Sequence, residues 1–151
     1  SIRIMTPYFL PSREMLVALQ TAALRGVAVT LVLPEKSNLV YVHWAMRNML
    51  WELLYYNISV AYQSPPFNHS KLFMVDGEYL LIGSANLDPR SLRLNYELSV
   101  EIYDTAMAAE LEGEFDDLIA RSAIVSLAEL DSRSLIARSR DALCWLFSPY
   151  L

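Results

Sequence analysis

The period of the hydrophobic positions changes along the chain, and each change marks an element. Residues Ile2 to Tyr8 form a short apolar run that predicts a buried strand. Pro11-Ser12 punctuates it, with Ser12 placed to cap a helix. From Met15 the apolar residues recur as Leu16, Leu19, Ala22 and Ala23, a helical stripe that Gly26 stops. Val27 to Leu33 is a continuous, β-branched-rich run suited to a strand covered on both faces. Strand, helix and strand with short joints predict a right-handed crossover and a parallel pair. A second helix follows over Asn38 to Tyr56 and a third strand over Ile58 to Tyr62.

The pattern then shortens. Ser64-Pro65-Pro66 is a loop. Lys71 to Val75 and Tyr79 to Ile82 read as strands joined through Asp76-Gly77, a strong hairpin signal. Residues 95 to 103 alternate, with Tyr96, Leu98, Val100 and Ile102 apolar and Asn95, Glu97, Ser99 and Glu101 polar, which predicts a half-buried strand. Asp104 is placed to cap a helix running to about Arg121, and a last helix is expected from near Ser132 to Phe147. There is no internal repeat, low-complexity tract or linker. The expected architecture is α/β: one domain over residues 1–151, with a mixed sheet flanked by helices on both faces.

Composition sharpens this in two ways. The hydrophobic fraction of 54% is high for a soluble domain. No run approaches the ~18 apolar residues of a membrane-spanning helix. The N-terminal Ser1-Ile2-Arg3-Ile4-Met5-Thr6 has no signal-peptide pattern and reads as the middle of a protein. Apolar surface in excess therefore implies a partner: a second lobe, a second copy or a lipid interface. The net charge of -5 weighs against a non-specific nucleic-acid binder, so nucleic acid is not an expected partner. A single cysteine, Cys144, excludes an intrachain disulfide and a thiolate cluster and reads as a small apolar residue. With only His43 and His69 besides, a histidine-built metal site is not expected.

The chemistry concentrates in one segment. His69 and Lys71 are followed by Asp76, then by Gly83-Ser84-Ala85-Asn86, giving H-x-K-x4-D-x6-G-S-x-N. If each residue type is used about 5% of the time, six fixed types match at a given start by chance at roughly 10^-8. On a strand, residues two apart share a face and lie roughly 6.6 Å apart, so His69 and Lys71 are expected to address one pocket. A phosphodiester carries a negative charge that must be neutralised before a nucleophile approaches. Lys71 supplies a point charge, Asn86 an amide donor and Ser84 a hydroxyl. Imidazole suits nucleophilic or acid/base work near neutral pH. Fixed donors of this kind need no metal and no cofactor. Asp76 belongs to the motif's catalytic set, but its opposite parity and turn position assign it to holding the loop. Glu97 is a candidate partner that would fix the tautomer of His69. Ser84 equally suits a turn cap and Glu97 an exposed strand position. Arg90 and Arg93 suit either a phosphate or a surface ion pair. His43, in Val42-His43-Trp44-Ala45-Met46, reads as a helix-packing residue.

This segment resembles the HKD motif of the phospholipase D superfamily. The likeness extends through Thr6-Pro7-Tyr8-Phe9-Leu10-Pro11, Ala23 to Val29, Asn86-Leu87-Asp88-Pro89-Arg90-Ser91, Leu94-Asn95-Tyr96-Glu97 and Leu146 to Leu151, and is similar to bacterial cardiolipin synthases. One departure is Asn57, where the family tends to carry glycine; Asn tolerates the same left-handed turn. The resemblance implies the C-terminal lobe of an enzyme whose two homologous lobes each bring one motif. It implies a parent at the bacterial cytoplasmic (inner) membrane and a ping-pong phosphatidyl transfer. One histidine forms a phosphohistidine, and the other serves as acid and base. Phosphatidylglycerol would be both donor and acceptor. Carried over by lobe, His69 would be the acid/base, with Lys71 and Asn86 on the phosphate and Glu97 orienting His69. The missing N-terminal lobe, or a second copy of the chain, would complete the site. A homodimeric nuclease or phosphodiesterase, and a lobe inactive by itself, are the competing expectations.

Overall fold

The computed structural model describes residues 1–150. Seven strands and six helices follow in chain order: β1 (Ile2–Met5), α1 (Arg13–Leu24), β2 (Val29–Pro34), α2 (Val40–Leu54), β3 (Ser59–Gln63), β4 (Leu72–Val75), β5 (Tyr79–Gly83), α3 (Pro89–Arg93), β6 (Ser99–Tyr103), α4 (Thr105–Ala120), β7 (Ala123–Ile124), α5 (Leu127–Asp131) and α6 (Leu135–Leu146). A short 3-10 turn covers Ser148–Tyr150.

All strands join one sheet in the order β6-β5-β4-β1-β2-β3-β7. β1, β2 and β3 are parallel, as the two crossover helices require. β4 runs antiparallel beside β1, with Ile4 opposite Phe73, and β5 and β6 continue the meander. This is the mixed sheet expected from the sequence. Its two faces carry separate cores. One holds Ile4, Leu31, Leu33, Leu50, Leu53 and Val60 with the inner sides of α1 and α2. The other holds Val32, Ala61, Met74 and Leu80 against Ala108 and Phe115 of α4. Neighbouring residues of β2 point to opposite cores, which explains its unbroken apolar sequence.

The local signals behave as their chemistry predicts. Ser12 accepts from Met15 N, and Asp104 from Ala106 N and Met107 N. Asn57 takes a left-handed φ of 59° before β3. Asp76 and Gly77 both have positive φ, the conformation of a tight hairpin turn.

Three expectations need correction. The strand placed over 95–103 begins only at Ser99 and is the sheet's edge. Tyr96, Leu98 and Val100 stay exposed because none of the described residues packs on that end of the edge, and Ile102 alone of the apolar set reaches a core. The last helix starts later, at Leu135, capped by Ser134. The short α5 and the two-residue β7 precede it; both are too brief to show a period.

Candidate functional site

β1 ends at Met5, and Thr6 to Leu10 continue along the sheet's end. Phe9 bridges Leu87, and Leu10 N donates to Leu87 O at 2.7 Å. This tie sets Tyr8 beside the Asn86–Asp88 loop. Asn95 and Arg90 join them around a cavity of about 170 Å³. Lys71, just ahead of β4, lies outside this cavity and lines a second one with Thr6, Gly83 and Leu87.

His69 lies two residues earlier, in coil rather than on the strand. Asn68 Oδ1 accepts from Ser70 N at 2.9 Å, a side-chain turn that bends the chain here. The bend folds the Lys71 ammonium onto its neighbour. Nζ donates to His69 Nδ1 at 2.8 Å and to His69 O at 2.7 Å. The two motif residues thus meet tip to tip, rather than side by side at strand spacing. Lys71 is 9% exposed, while the imidazole stays accessible between the rings of Phe67 and Tyr8, with centroids at 5.8 and 6.2 Å.

Burial, and then the Lys71 charge, holds His69 below its ordinary pKa. Burial also depresses Lys71, against the pull of Glu97 and Asp88. With Nδ1 accepting from an ammonium, the neutral ring carries its proton on Nε2. A buried cation beside a neutral, open imidazole has the charge and the proton acceptor that an anion such as a phosphodiester would meet. An arriving anion offers Lys71 a better partner and lifts the cation's restraint on imidazole protonation.

The donor loop is built by close backbone approach. Ser84 N donates to Leu98 O at 2.9 Å, and Leu98 N donates to Ser84 Oγ at 3.1 Å. Ser84 Oγ donates to Glu97, whose other oxygen accepts from Asn95 Nδ2 at 3.3 Å. Those two bonds, Ser84's first, hold the Glu97 carboxyl below the usual carboxylate range, aided by Lys71. Glu97 makes no hydrogen bond to His69; its influence reaches the site through Lys71 and Ser84. Asn86 Nδ2 donates to Ser91 Oγ at 3.2 Å, and its buried Oδ1 has no partner among the described residues. Asp88 caps α3 and fixes Ser91 N at 2.7 Å.

Asp76 is not brought to this cluster. It sits at the far end of β4, about 17 Å along the strand from Lys71 at 3.4 Å per residue. There its backbone N donates to Ser1 O at 3.1 Å. His43 is also elsewhere, half-buried on α2 against the Tyr62 ring at 6.0 Å. Sequence reasoning did not assign Tyr8, Phe67, Asp88, Ser91 and Asn95 to the site. The Asp88-Pro89 pair was the available signal, since aspartate at the cap and proline in the first turn start a helix. Arg90 and Arg93 form no ion pair among the described residues, and Arg90 lines the cavity with Asn86.

Sheet order, two covered faces and this cluster at the end of β1 define a phospholipase D-like α/β domain. Solved structures agree. Nuc, a phospholipase D family member from Salmonella typhimurium, is 25% identical with a TM-score of 0.71, covering 83% of this chain and 81% of its own. Phosphatidylserine synthase from Haemophilus influenzae shares the fold at 20% identity and a TM-score of 0.74, over 99% of this chain and 41% of its own. The family model described as "Cardiolipin synthase, PLD-like domain" matches residues 1–119, and the chain belongs to that family. Cardiolipin synthase A of Proteus mirabilis is 40% identical over 97% of this chain, and that of Salmonella arizonae 41% over the same share. The chain spans 30% of the length of these curated relatives.

Proposed function

We propose that the chain, residues 1–151, is one catalytic lobe of a phosphatidyltransferase that makes cardiolipin from two phosphatidylglycerol molecules. It would supply half of a two-histidine site, as the C-terminal lobe of a protein at the bacterial cytoplasmic membrane. The observation that carries this reading is the 2.8 Å contact between the buried Lys71 ammonium and the open His69 ring, within a chain of this family. One histidine gives one proton-transfer group, and a double displacement needs two nitrogens.

In the first step the other lobe's histidine attacks phosphorus. An N–P bond forms as the P–O bond to glycerol breaks, and His69, protonated once phosphate has engaged Lys71, gives its proton to the leaving oxygen. In the second step neutral His69 takes the proton of an incoming phosphatidylglycerol hydroxyl. The new P–O bond forms, the N–P bond breaks, and the other histidine recovers its electron pair. Lys71 and Asn86 hold the non-bridging oxygens, while Ser84, whose hydroxyl proton goes to Glu97, keeps the loop in place. A half-turn of the Asn86 amide would let Ser91 Oγ donate to Oδ1. It would exchange the 3.2 Å bond to Ser91 for its reverse, give up the 3.4 Å bond from Ser91 Oγ to Asp88, and place an N–H where the partnerless Oδ1 now lies. Glu97 orients Ser84 and tempers the Lys71 charge. Asp76 is structural. A 440 Å³ cavity beside α3 has a mixed lining, with Leu10, Leu16, Met49 and Leu92 on its walls together with Arg93 and Glu52.

The test is a product assay by mass spectrometry with phosphatidylglycerol in mixed micelles. The chain alone is expected to give no cardiolipin above a His69→Ala control. The full-length parent is expected to make it, and to lose it on His69→Ala. Near wild-type synthesis by that variant in the parent would end the assignment of His69. A second reading, in which two copies complete the site, is favoured by the match to Nuc over most of both chains. His69-dependent cardiolipin from the chain alone would establish it.

A further inference from the structure

α6 is turned inside out. Its inward side carries Asp141, fully buried and held by Arg133 at 2.6 Å, Arg140 at 2.7 Å and Arg47 of α2 at 3.5 Å. Its outward side carries Leu135, Ile136, Leu143, Leu146 and Phe147, between 57% and 84% exposed. At 3.6 residues per turn these five and Ser139 fall within an arc of about 120°. An amphipathic helix of a self-contained domain presents the opposite arrangement, so this face has a cover.

We propose that the outer face of α6 lies on an anionic lipid surface, its apolar stripe sunk into the headgroup–acyl boundary. Charge supports a lipid over a protein. Arg138 borders one side of the stripe; Arg140, on the other, is held by Asp141 and lies over the Trp44 ring at 4.0 Å. From Ser132 to Tyr150 the only carboxylate side chain is the buried Asp141, in a chain of net charge -5. An apolar stripe with an arginine at its edge and aromatic side chains at one end is the composition of an interfacial helix. Trp145 and Tyr150, 40% and 80% exposed, supply those aromatics beside Phe147. A two-fold pairing of α6 with α6 would bring two Arg138-edged faces together with no exposed carboxylate between them. The inference rests on the helix and not on the transferase reading.

The experiment is vesicle flotation of the 151-residue chain, with phosphatidylglycerol-rich or pure phosphatidylcholine vesicles. The wild type is expected to float with the anionic vesicles, less so at high salt, and poorly with phosphatidylcholine. The double variant Ile136→Glu/Leu143→Glu, whose side chains touch solvent, is expected to keep the wild-type circular dichroism and lose at least about tenfold in partitioning. Leu24→Glu, at an exposed position on α1, is expected to float like the wild type. Lys71→Met should do so too, because the surface and not the phosphate site makes the contact. The proposal is overturned if the wild type does not float or if the double variant floats equally. It is overturned too if Lys71→Met alone abolishes flotation, which would place the lipid in the catalytic site. A wild-type dimer in sedimentation velocity that the double variant dissolves would assign the face to self-association and overturn it likewise.

Discussion

Gly83→Ala tests the geometry that builds the donor loop. A methyl group on Gly83 would lie 2.4 Å from Ser99 Oγ, 2.5 Å from Leu98 O and 2.8 Å from Ser99 Cα. The serine oxygen can rotate away, but the other two atoms are backbone. Reaching an ordinary 3.4 Å contact from 2.5 Å needs a shift of about 0.9 Å at the start of β6. That shift strains the paired bonds between Ser84 and Leu98, at 2.9 and 3.1 Å, and with them the Ser84–Glu97 contact. Overpacking of this kind costs up to about 3 kcal/mol, and the stiffer unfolded chain returns about 0.4–1 kcal/mol. The net loss of up to about 2–2.6 kcal/mol should lower the Tm by up to about 4–10 °C in a domain of this size. Gly113→Ala is the control: Gly113 lies in α4, and nothing stands within 4 Å of its added methyl. Helix propensity should raise its Tm by about 1–4 °C, from a gain of up to about 1 kcal/mol. Thermal melts followed by circular dichroism give both values. A Gly83→Ala protein melting within about 1 °C of the wild type would refute the steric role of this glycine, on a scale where 1 kcal/mol moves the midpoint by about 2–4 °C.

The other predictions are narrower. Lys71→Met removes the cation on Nδ1, so the His69 pKa should move up, read from its ring resonances in an NMR titration; a fall or no change would contradict the contact. His43, through burial first and Arg47 second, and His69 both titrate below the ordinary value in the folded protein. The unfolded chain therefore binds more protons as pH falls through about 6.5, so stability is full above that range and declines below it. Urea midpoints between pH 7 and pH 5 should show this slope, and His43→Gln should flatten it. Asp141→Asn leaves Arg47, Arg133 and Arg140 without their shared buried counter-charge and should destabilise by about 3–5 kcal/mol in urea unfolding, where a loss under about 1 kcal/mol would refute the cluster's role.

What the sequence disclosed follows from the range of each signal. The parallel half was legible because the apolar runs at Val29–Pro34 and Ser59–Gln63 and the helical stripe of α1 are dictated by neighbours a few residues away. The His69–Lys71 pairing was legible as a shared pocket, but its contact was not, because the Asn68–Ser70 turn replaces the strand geometry assumed for it. Glu97 illustrates the same limit. Its alternation with Leu98 marked a strand, whereas its partners Ser84 and Asn95 are set by how closely β6 meets Gly83.

The faces show the deeper reason. A period locates an apolar stripe on an element but does not say what the stripe looks at. In α2 it looks inward, and Met46, Leu50 and Leu53 are wholly buried. In α6 the same kind of stripe looks outward, because Asp141 finds three arginines inside and takes the inner face. Burying one carboxylate with several charge-assisted bonds fixes the helix's rotation more firmly than apolar residues could, since the reverse rotation would leave Arg133 and Arg47 facing hydrocarbon without a counter-charge. The exposed stripe is thus the consequence of a polar lock, and the lock identifies α6 as a helix that meets its apolar partner from outside the domain.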